Sequence, residues 1–251
     1  MYNGQGQKLY TLGSSDFGNL IYSLDGENYS HANFEIEGIA AGEYTIYYKL
    51  ANDDNINIPE TKTIKVNIAK ATPKITPPTP IEGLVYNGQG QNLYTLGSSD
   101  VGTLGYSLDG KSYGTDFVIS GFEAGEYTIY YKLWDDDNIN IPETKTIKVT
   151  IAKSTPKITP PTPIEGLVYN GENQVIFKQG STDIGELLYS IDGKDWDPGV
   201  WARVAAGEYT VYYKLADNPN INIPEPKSIK VTIASAQNNQ DNPNNPDNPN
   251  N

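Results

Sequence analysis

Internal repetition constrains this chain more than any other property of it. Tyr-Asn-Gly begins at Tyr2, Tyr86 and Tyr169, Ala-Gly-Glu-Tyr-Thr at Ala41, Ala124 and Ala206, and Asn-Ile-Asn-Ile-Pro-Glu at Asn55, Asn138 and Asn220. The string TPKITPPTPIEGLVYNG is identical from Thr72 and from Thr155. Self-similarity at this period means one small module copied in tandem.

The spacing between landmarks separates framework from loop. The Tyr-Asn-Gly tyrosine stands 24 positions before the glycine of an Asp-Gly pair in every copy (2 to 26, 86 to 110, 169 to 193). The Ala-Gly-Glu-Tyr glycine stands 17 before the Ile-Pro-Glu proline (42 to 59, 125 to 142, 207 to 224). Between those blocks the step falls from 16 to 15 to 14 (26 to 42, 110 to 125, 193 to 207). All length variation lies around Tyr29 to Asn33 and its equivalents, so that segment is a surface loop and the rest is framework. The expected modules are 1–71, 72–154 and 155–236. The first lacks the TPKITPPTPIEGL lead-in, with Met1 where Val85 and Val168 stand, which predicts a fragment lacking its upstream part and any signal peptide. Residues 237–251 are Asn, Pro, Asp and Gln with nothing apolar to bury, and read as a disordered linker.

Within a copy the pattern is that of strands. In AGEYTIYYKL, Tyr44, Ile46, Tyr48 and Leu50 alternate with Thr45, Tyr47 and Lys49, and Ile64, Val66 and Ile68 alternate with Lys65 and Asn67. Period-2 alternation rich in β-branched and aromatic residues makes half-buried strands. Leu20, Tyr22 and Leu24 lead into Asp25-Gly26, a dipeptide suited to a type I′ hairpin turn, repeated at Asp109-Gly110 and Asp192-Gly193. No segment has a helical period. The proline-rich lead-in reads as an edge strand, partly polyproline, that blunts the sheet edge. About seven short strands in roughly 83 residues predict a small two-sheet sandwich. The expected fold is all-β: three tandem immunoglobulin-like β-sandwiches, the first without its N-terminal edge strand.

AAGEYTIYY at 40–48 looks like the corner of an immunoglobulin-type domain, with Tyr44, Tyr127 and Tyr209 as corner tyrosines. Ile46, Ile129 and Val211 stand where antibody domains have cysteine. The corner tyrosine is expected to be buried, with its hydroxyl bonded to backbone a few residues upstream. The whole module, YNGxxQ, then G(S/T)xDxG, YSLDG, AGEYTVYYK and IKVTIAK, is similar to bacterial immunoglobulin-like surface repeats of the MBG/YDG type from Tyr2 to Ile233. The resemblance implies an extracellular spacer, at the cell surface or secreted, and brings no shared active site.

Composition removes several function classes. A net charge of −13 repels phosphate backbones and anionic lipid, and the Lys and Arg residues form no stripe, so nucleic acid is not expected as a partner. No apolar run approaches the ~20 residues of a membrane span. Without cysteine, and with His31 alone in the variable loop, nucleophilic triads are hard to assemble. The recurring acids Asp25, Glu43 and Glu60 belong to a turn, the outward side of the corner and a loop, so no enzyme is expected. Oxygen-rich loops NDDNIN and DDDNIN make Asp53, Asp54, Asp135, Asp136 and Asp137 candidate calcium ligands. The third copy reads DNPNIN and loses acidic groups, and Asn, Asp and Pro also simply form turns.

Aromatics supply the rival to a passive role. Trp134 replaces Ala51 and Ala216, Trp196 replaces Tyr29 and Tyr113, and Trp201 aligns with Ile36 and Ile119 as core. With the outward Tyr47, Tyr130 and Tyr212, Trp134 and Trp196 could grip glycans or host proteins. The favoured expectation remains a non-catalytic, cofactor-free spacer whose partners are neighbouring domains of the same polypeptide. Only Ala-Thr-Pro separates the Ile-Ala-Lys end of the first module from the next edge strand, a short stiff junction. Modules of ~40 Å each would reach roughly 120 Å in line.

Overall fold

A computed structural model describes residues 1–30, 34–115 and 117–236; His31 and the 237–251 tail lie outside them. The described residues form strands and no helix, in an all-β, sandwich-like architecture. Among the described residues no helix is long and apolar enough to cross a membrane.

One strand set recurs. Leu20–Ser23, Gly42–Leu50 and Lys62–Ile68 form an antiparallel sheet with the nine-residue strand in the middle. Leu104–Ser107, Gly125–Leu133 and Lys145–Ile151 repeat it with Gly114–Thr115 added at the edge, and Leu187–Ser190, Gly207–Leu215 and Lys227–Ile233 repeat it again. The register is the same throughout: Leu20, Leu104 and Leu187 face Leu50, Leu133 and Leu215, and Tyr22, Tyr106 and Tyr189 face Tyr48, Tyr131 and Tyr213. The pleat sends alternate side chains to one face, so Ile46, Ile129 and Val211 are fully buried. A second layer closes over that face. Leu9 and Tyr10 join Tyr22, Ile46 and Ile68 in one core, and Ile176 and Phe177 join Tyr189, Val211 and Ile233 in another. An aromatic pair bridges the layers each time: Tyr10–Tyr22 at 4.4 Å, Tyr94–Tyr106 at 5.0 Å and Phe177–Tyr189 at 4.9 Å between centroids.

The proline-rich lead-in lies on an edge, as its prolines require, but in two pieces rather than one strand. Ile75–Thr76 pairs with Ser98–Ser99 and Thr79–Pro80 with Tyr94–Thr95, with Pro77 and Pro78 unpaired between them. Ile158–Thr159 and Thr162–Pro163 do the same against Ser181–Thr182 and Phe177–Lys178. A proline has no N–H to donate, so the ladder breaks where two adjoin. The chain here runs close: a Cβ at Gly97 would collide with the Thr76 carbonyl oxygen, and one at Gly180 with that of Thr159.

Two expectations need correction. Asp25-Gly26 is not the tip of a two-residue hairpin, because the strand closes again only at Tyr22 opposite Ser30, and likewise at Tyr106–Gly114 and Tyr189–Asp197. Leu24 does not continue the inward face. It and Leu108 are each 46% exposed, whereas Ser23, Ser107 and Ser190 are buried. The serine hydroxyl explains both. Ser107 Oγ donates to Asp109 Oδ1 (2.7 Å) and accepts the N–H of Asp109 (3.2 Å) and Gly110 (3.0 Å), which pulls the serine inward and turns the chain early. Gly26, Gly110 and Gly193 then take φ of 75°, 68° and 73°, as the dipeptide suggests.

The corner tyrosines keep their expected hydrogen bond and lose their expected burial. Tyr44 Oη donates to the Ala40 carbonyl at 2.8 Å and Tyr209 Oη to that of Ala205 at 2.7 Å. The rings of Tyr44, Tyr127 and Tyr209 are half-buried, those of Tyr44 and Tyr209 packing against the margins of the first and third cores.

The chain divides into two compact units: Met1–Ile81, Asn92–Ser120 and Tyr127–Val149 in one, and Glu82–Gln91, Gly121–Glu126 and the chain from Thr150 in the other.

Candidate functional site

The Asn-Ile-Asn loops are where one repeat meets the next. In the first unit, Asp136 Oδ1 accepts the Asn138 N–H (2.8 Å) and its side-chain amide (2.9 Å), and the Ile139 N–H bonds back to the Asp136 carbonyl (3.0 Å). The turn holds Asn138 so that its Oδ1 accepts the Ala41 N–H at 2.7 Å. The adjoining backbone pairs with Ala71: its N–H donates to the Asn138 carbonyl (2.9 Å), and its carbonyl accepts the Asn140 N–H (2.8 Å). Asn140 Nδ2 also reaches Thr72 Oγ1 at 3.1 Å. Ala71 and Ile139 are almost wholly buried here, so residues expected to form a short linker are instead a rung of parallel β-structure.

The second unit repeats this clasp. Asn218 Oδ1 accepts the Asn220 N–H at 2.9 Å, and Asn220 Oδ1 accepts the Ala124 N–H at 2.7 Å. Ser154 exchanges backbone bonds with Asn220 (3.1 Å) and Asn222 (2.7 Å), and Asn222 Nδ2 donates to Thr155 Oγ1 at 2.9 Å. Asn220 Nδ2 also donates to the Glu123 carboxylate. Asn220 is buried, a placement a polar side chain adopts only with its bonds made.

This defines what the calcium candidates do. Asp53 and Asp136 hold the amide of the asparagine two residues on; in the first copy Asp53 Oδ1 takes the Asn55 N–H at 2.9 Å and its Nδ2 at 3.0 Å. The third copy performs the same function with Asn218. The position therefore requires an acceptor oxygen rather than a charge. Asp54, Asp135 and Asp137 are exposed, and Lys70 shares an open hollow of about 510 Å³ with Asp135, Asp136 and Asp137. Among the described residues no three His, Cys, Asp or Glu side chains come together.

The outward tyrosines pack over the Asp-Gly loops. A Cβ on Gly26 would lie 3.4 Å from the Tyr47 ring, one on Gly110 3.4 Å from Tyr130, and one on Gly193 4.0 Å from Tyr212. The other loop aromatics are covered by a strand lysine. Lys49 Nζ is 4.3 Å from the Tyr29 centroid, Lys132 Nζ 5.0 Å from Tyr113 and Lys214 Nζ 4.7 Å from Trp196. Trp201 packs against the third core with Arg203 over its ring at 5.6 Å. Trp134, 43% exposed, is the most open tryptophan.

The recurring acids are dispersed. Glu43 pairs with Lys65 (2.8 Å) and Glu208 with Lys230 (2.7 Å) across neighbouring strands, at an exposed surface where such pairs contribute little. Asp25, Asp109 and Asp192 sit in their loops with carboxyls held well below the usual range. The largest cause is the Ser23 hydroxyl for Asp25, the Ser112 N–H for Asp109 and the Asp195 N–H for Asp192, which is lowered to about 2. Compared with known proteins, the chain matches no protein-family model and no curated protein.

Proposed function

We propose that this chain is a non-catalytic extracellular spacer of a larger bacterial surface or secreted protein, whose modules hold other domains at a set distance. The junction carries the reading. A spacer needs repeats that do not swivel, and both clasps join repeat to repeat through paired backbone and an asparagine amide rather than through a free linker. The resemblance to MBG/YDG repeats supports the bacterial, surface-exposed setting. The charge of −13 supports solubility and mutual repulsion of such chains. The aromatic surfaces lend less to a ligand-binding role, since the tyrosine rings and Trp196 are already covered by the protein's own loops and lysines.

The chain has no cysteine, so spin labels at Thr63→Cys and Thr146→Cys, both exposed strand positions of the first unit, report on the junction alone. A single narrow distance distribution is expected, broadening when Asn138→Ala is added. A broad distribution in the otherwise unaltered chain overturns the spacer reading. Glycan or matrix-protein adhesion that disappears with Trp134→Ala at unchanged stability replaces it with the adhesion module.

A further inference from the structure

Each repeat carries two dipeptides in which a side-chain carbonyl group precedes a glycine nitrogen. One set is Asn3-Gly4, Asn87-Gly88 and Asn170-Gly171, and the other is Asp25-Gly26, Asp109-Gly110 and Asp192-Gly193. Both sets can cyclise, because glycine puts no side chain in the path of its own nitrogen toward the preceding side chain. All of these Asn and Asp residues are exposed, so water reaches both sets. Their hydrogen bonds separate them.

In the Asp-Gly loops both reacting groups are occupied. The glycine N–H donates to the serine hydroxyl, at 3.0 Å for Gly26 and Gly110 and 2.9 Å for Gly193. The carboxylate accepts from that serine and from two backbone N–H groups downstream, which favours the ionised form, the poorest target for a nucleophile. The Tyr47 and Tyr130 rings also lie over Gly26 and Gly110.

In the Asn-Gly turns both groups are available. Gly4, Gly88 and Gly171 take φ of 75°, 76° and 81°, and a Cβ on any of them would meet nothing within 4 Å. Their N–H groups have no acceptor among the described residues. The asparagine Oδ1 accepts the N–H two residues on, from Gln5 and Gln89 at 2.9 Å and from Glu172 at 3.0 Å. That bond polarises the side-chain carbonyl, and the ring it closes contains both Cγ and the glycine nitrogen. The tyrosine before each asparagine is fixed in turn, its N–H donating to Ala69, Ala152 or Ala234 at 2.8, 2.9 and 2.8 Å.

We propose that the Tyr-Asn-Gly turns are sites of spontaneous covalent modification, one in each repeat, where asparagine passes through a cyclic imide to aspartate and isoaspartate while the Asp-Gly loops are protected. The glycine nitrogen bonds to asparagine Cγ and gives its proton to water. The side-chain amide nitrogen takes up a proton and leaves as ammonia, and a water molecule then opens the imide at either carbonyl. One water is consumed and one ammonia released, with no change of oxidation state. Each event adds one negative charge and about one dalton. Opening at the backbone carbonyl routes the main chain through Cβ and Cγ, which inserts a methylene between the anchored Tyr86 and the strand Gln91–Asn92.

The test incubates the whole chain beside the synthetic peptides GLVYNGQGQNLY and GYSLDGKSY in one buffer. Products are followed by peptide mapping with mass spectrometry, and isoaspartate is counted with an isoaspartyl methyltransferase. In the chain, Asn87 and Asn170 should convert within about threefold of the Asn-Gly peptide's rate and give both products. Asp109 should form isoaspartate at least about tenfold more slowly in the chain than in its peptide. Ser107→Ala, which frees the Gly110 N–H, should raise isoaspartate at Asp109 several-fold and leave Asn87 unchanged, at a temperature where the variant's amide spectrum is still native. Slowing of Asn87 by tenfold or more on folding, aspartate formed without isoaspartate, Asp109 as reactive as its peptide, or no response to Ser107→Ala would each overturn the proposal.

Discussion

At the scale of single residues, the least conspicuous side chain in the repeat does the most. Ser23, Ser107 and Ser190 each follow a buried tyrosine, the first two precede an exposed leucine and the third the half-buried Ile191, and each closes a loop through one hydroxyl. Ser107→Ala strips the bond from the amides of Asp109 and Gly110 at a buried position and should cost about 1–3 kcal/mol in urea unfolding. Leu108→Ala, one residue away and exposed, should stay within about 0.5 kcal/mol. Equal costs would mean that the alternation read from the sequence, with leucine inward, is the correct one. The loop aspartate adds a pH signature. Asp192, lowered to about 2 chiefly by the Asp195 and Lys194 N–H groups and the Ser190 hydroxyl, prefers its ionised form in the folded state. Its contribution is complete above the ordinary carboxyl pKa of about 4 and is lost as pH falls from there toward 2. The stability difference between the native chain and Asp192→Ala should therefore be constant above pH ~4 and close below it.

At the scale of elements, strands were more legible than the turns and junctions that join them. The inward positions of Gly42–Leu50 and of Val66 and Ile68 follow from a period of two, which needs no knowledge of distant residues, whereas Ile64 of the same alternation is exposed. The Asp-Gly loop needed more. The dipeptide signals a positive φ, and Gly110 has it, but the number of residues that close the loop depends on where the Ser107 hydroxyl is drawn in. The Asn-Ile-Asn-Ile-Pro-Glu loop was harder still. Its oxygens suit a calcium site or a turn equally, and the bonding partners of Asn138 lie in another copy, 97 residues away at Ala41. A signal did exist: the third copy exchanges Asp136 for Asn218 and keeps Asn220, which preserves the acceptor and drops the charge. Hydrogen exchange follows the consequence. Asn218→Asp should leave protection of the Ala124 and Ser154 amides unchanged. Asn218→Ala should accelerate their exchange several-fold, as a bond of about 1 kcal/mol predicts. Equal exchange in the two variants would show that the turn does not position Asn220.

At the scale of the whole molecule, repetition makes the chain its own comparison. The same landmarks with and without a lead-in show what that segment does: where it is present Leu133 and Leu215 are completely buried, and where it is absent Leu50 is not. The three sheets share one register, while the variable lengths fall in the loop at the sheet edge, where only the second copy adds a strand, Gly114–Thr115. The sequence by itself determined the all-β class, the repeat, the inward faces, the proline-rich edge and the corner tyrosine's bond. These are local or periodic properties, set by sterics, pleat and the absence of a proline N–H. Only the tertiary structure decided that the serine turns inward, that the corner rings stay half-open, and that asparagine loops clasp the preceding repeat. Each of those depends on which groups, far apart in the chain, arrive within bonding distance of one another, and spacing along a sequence does not encode that distance.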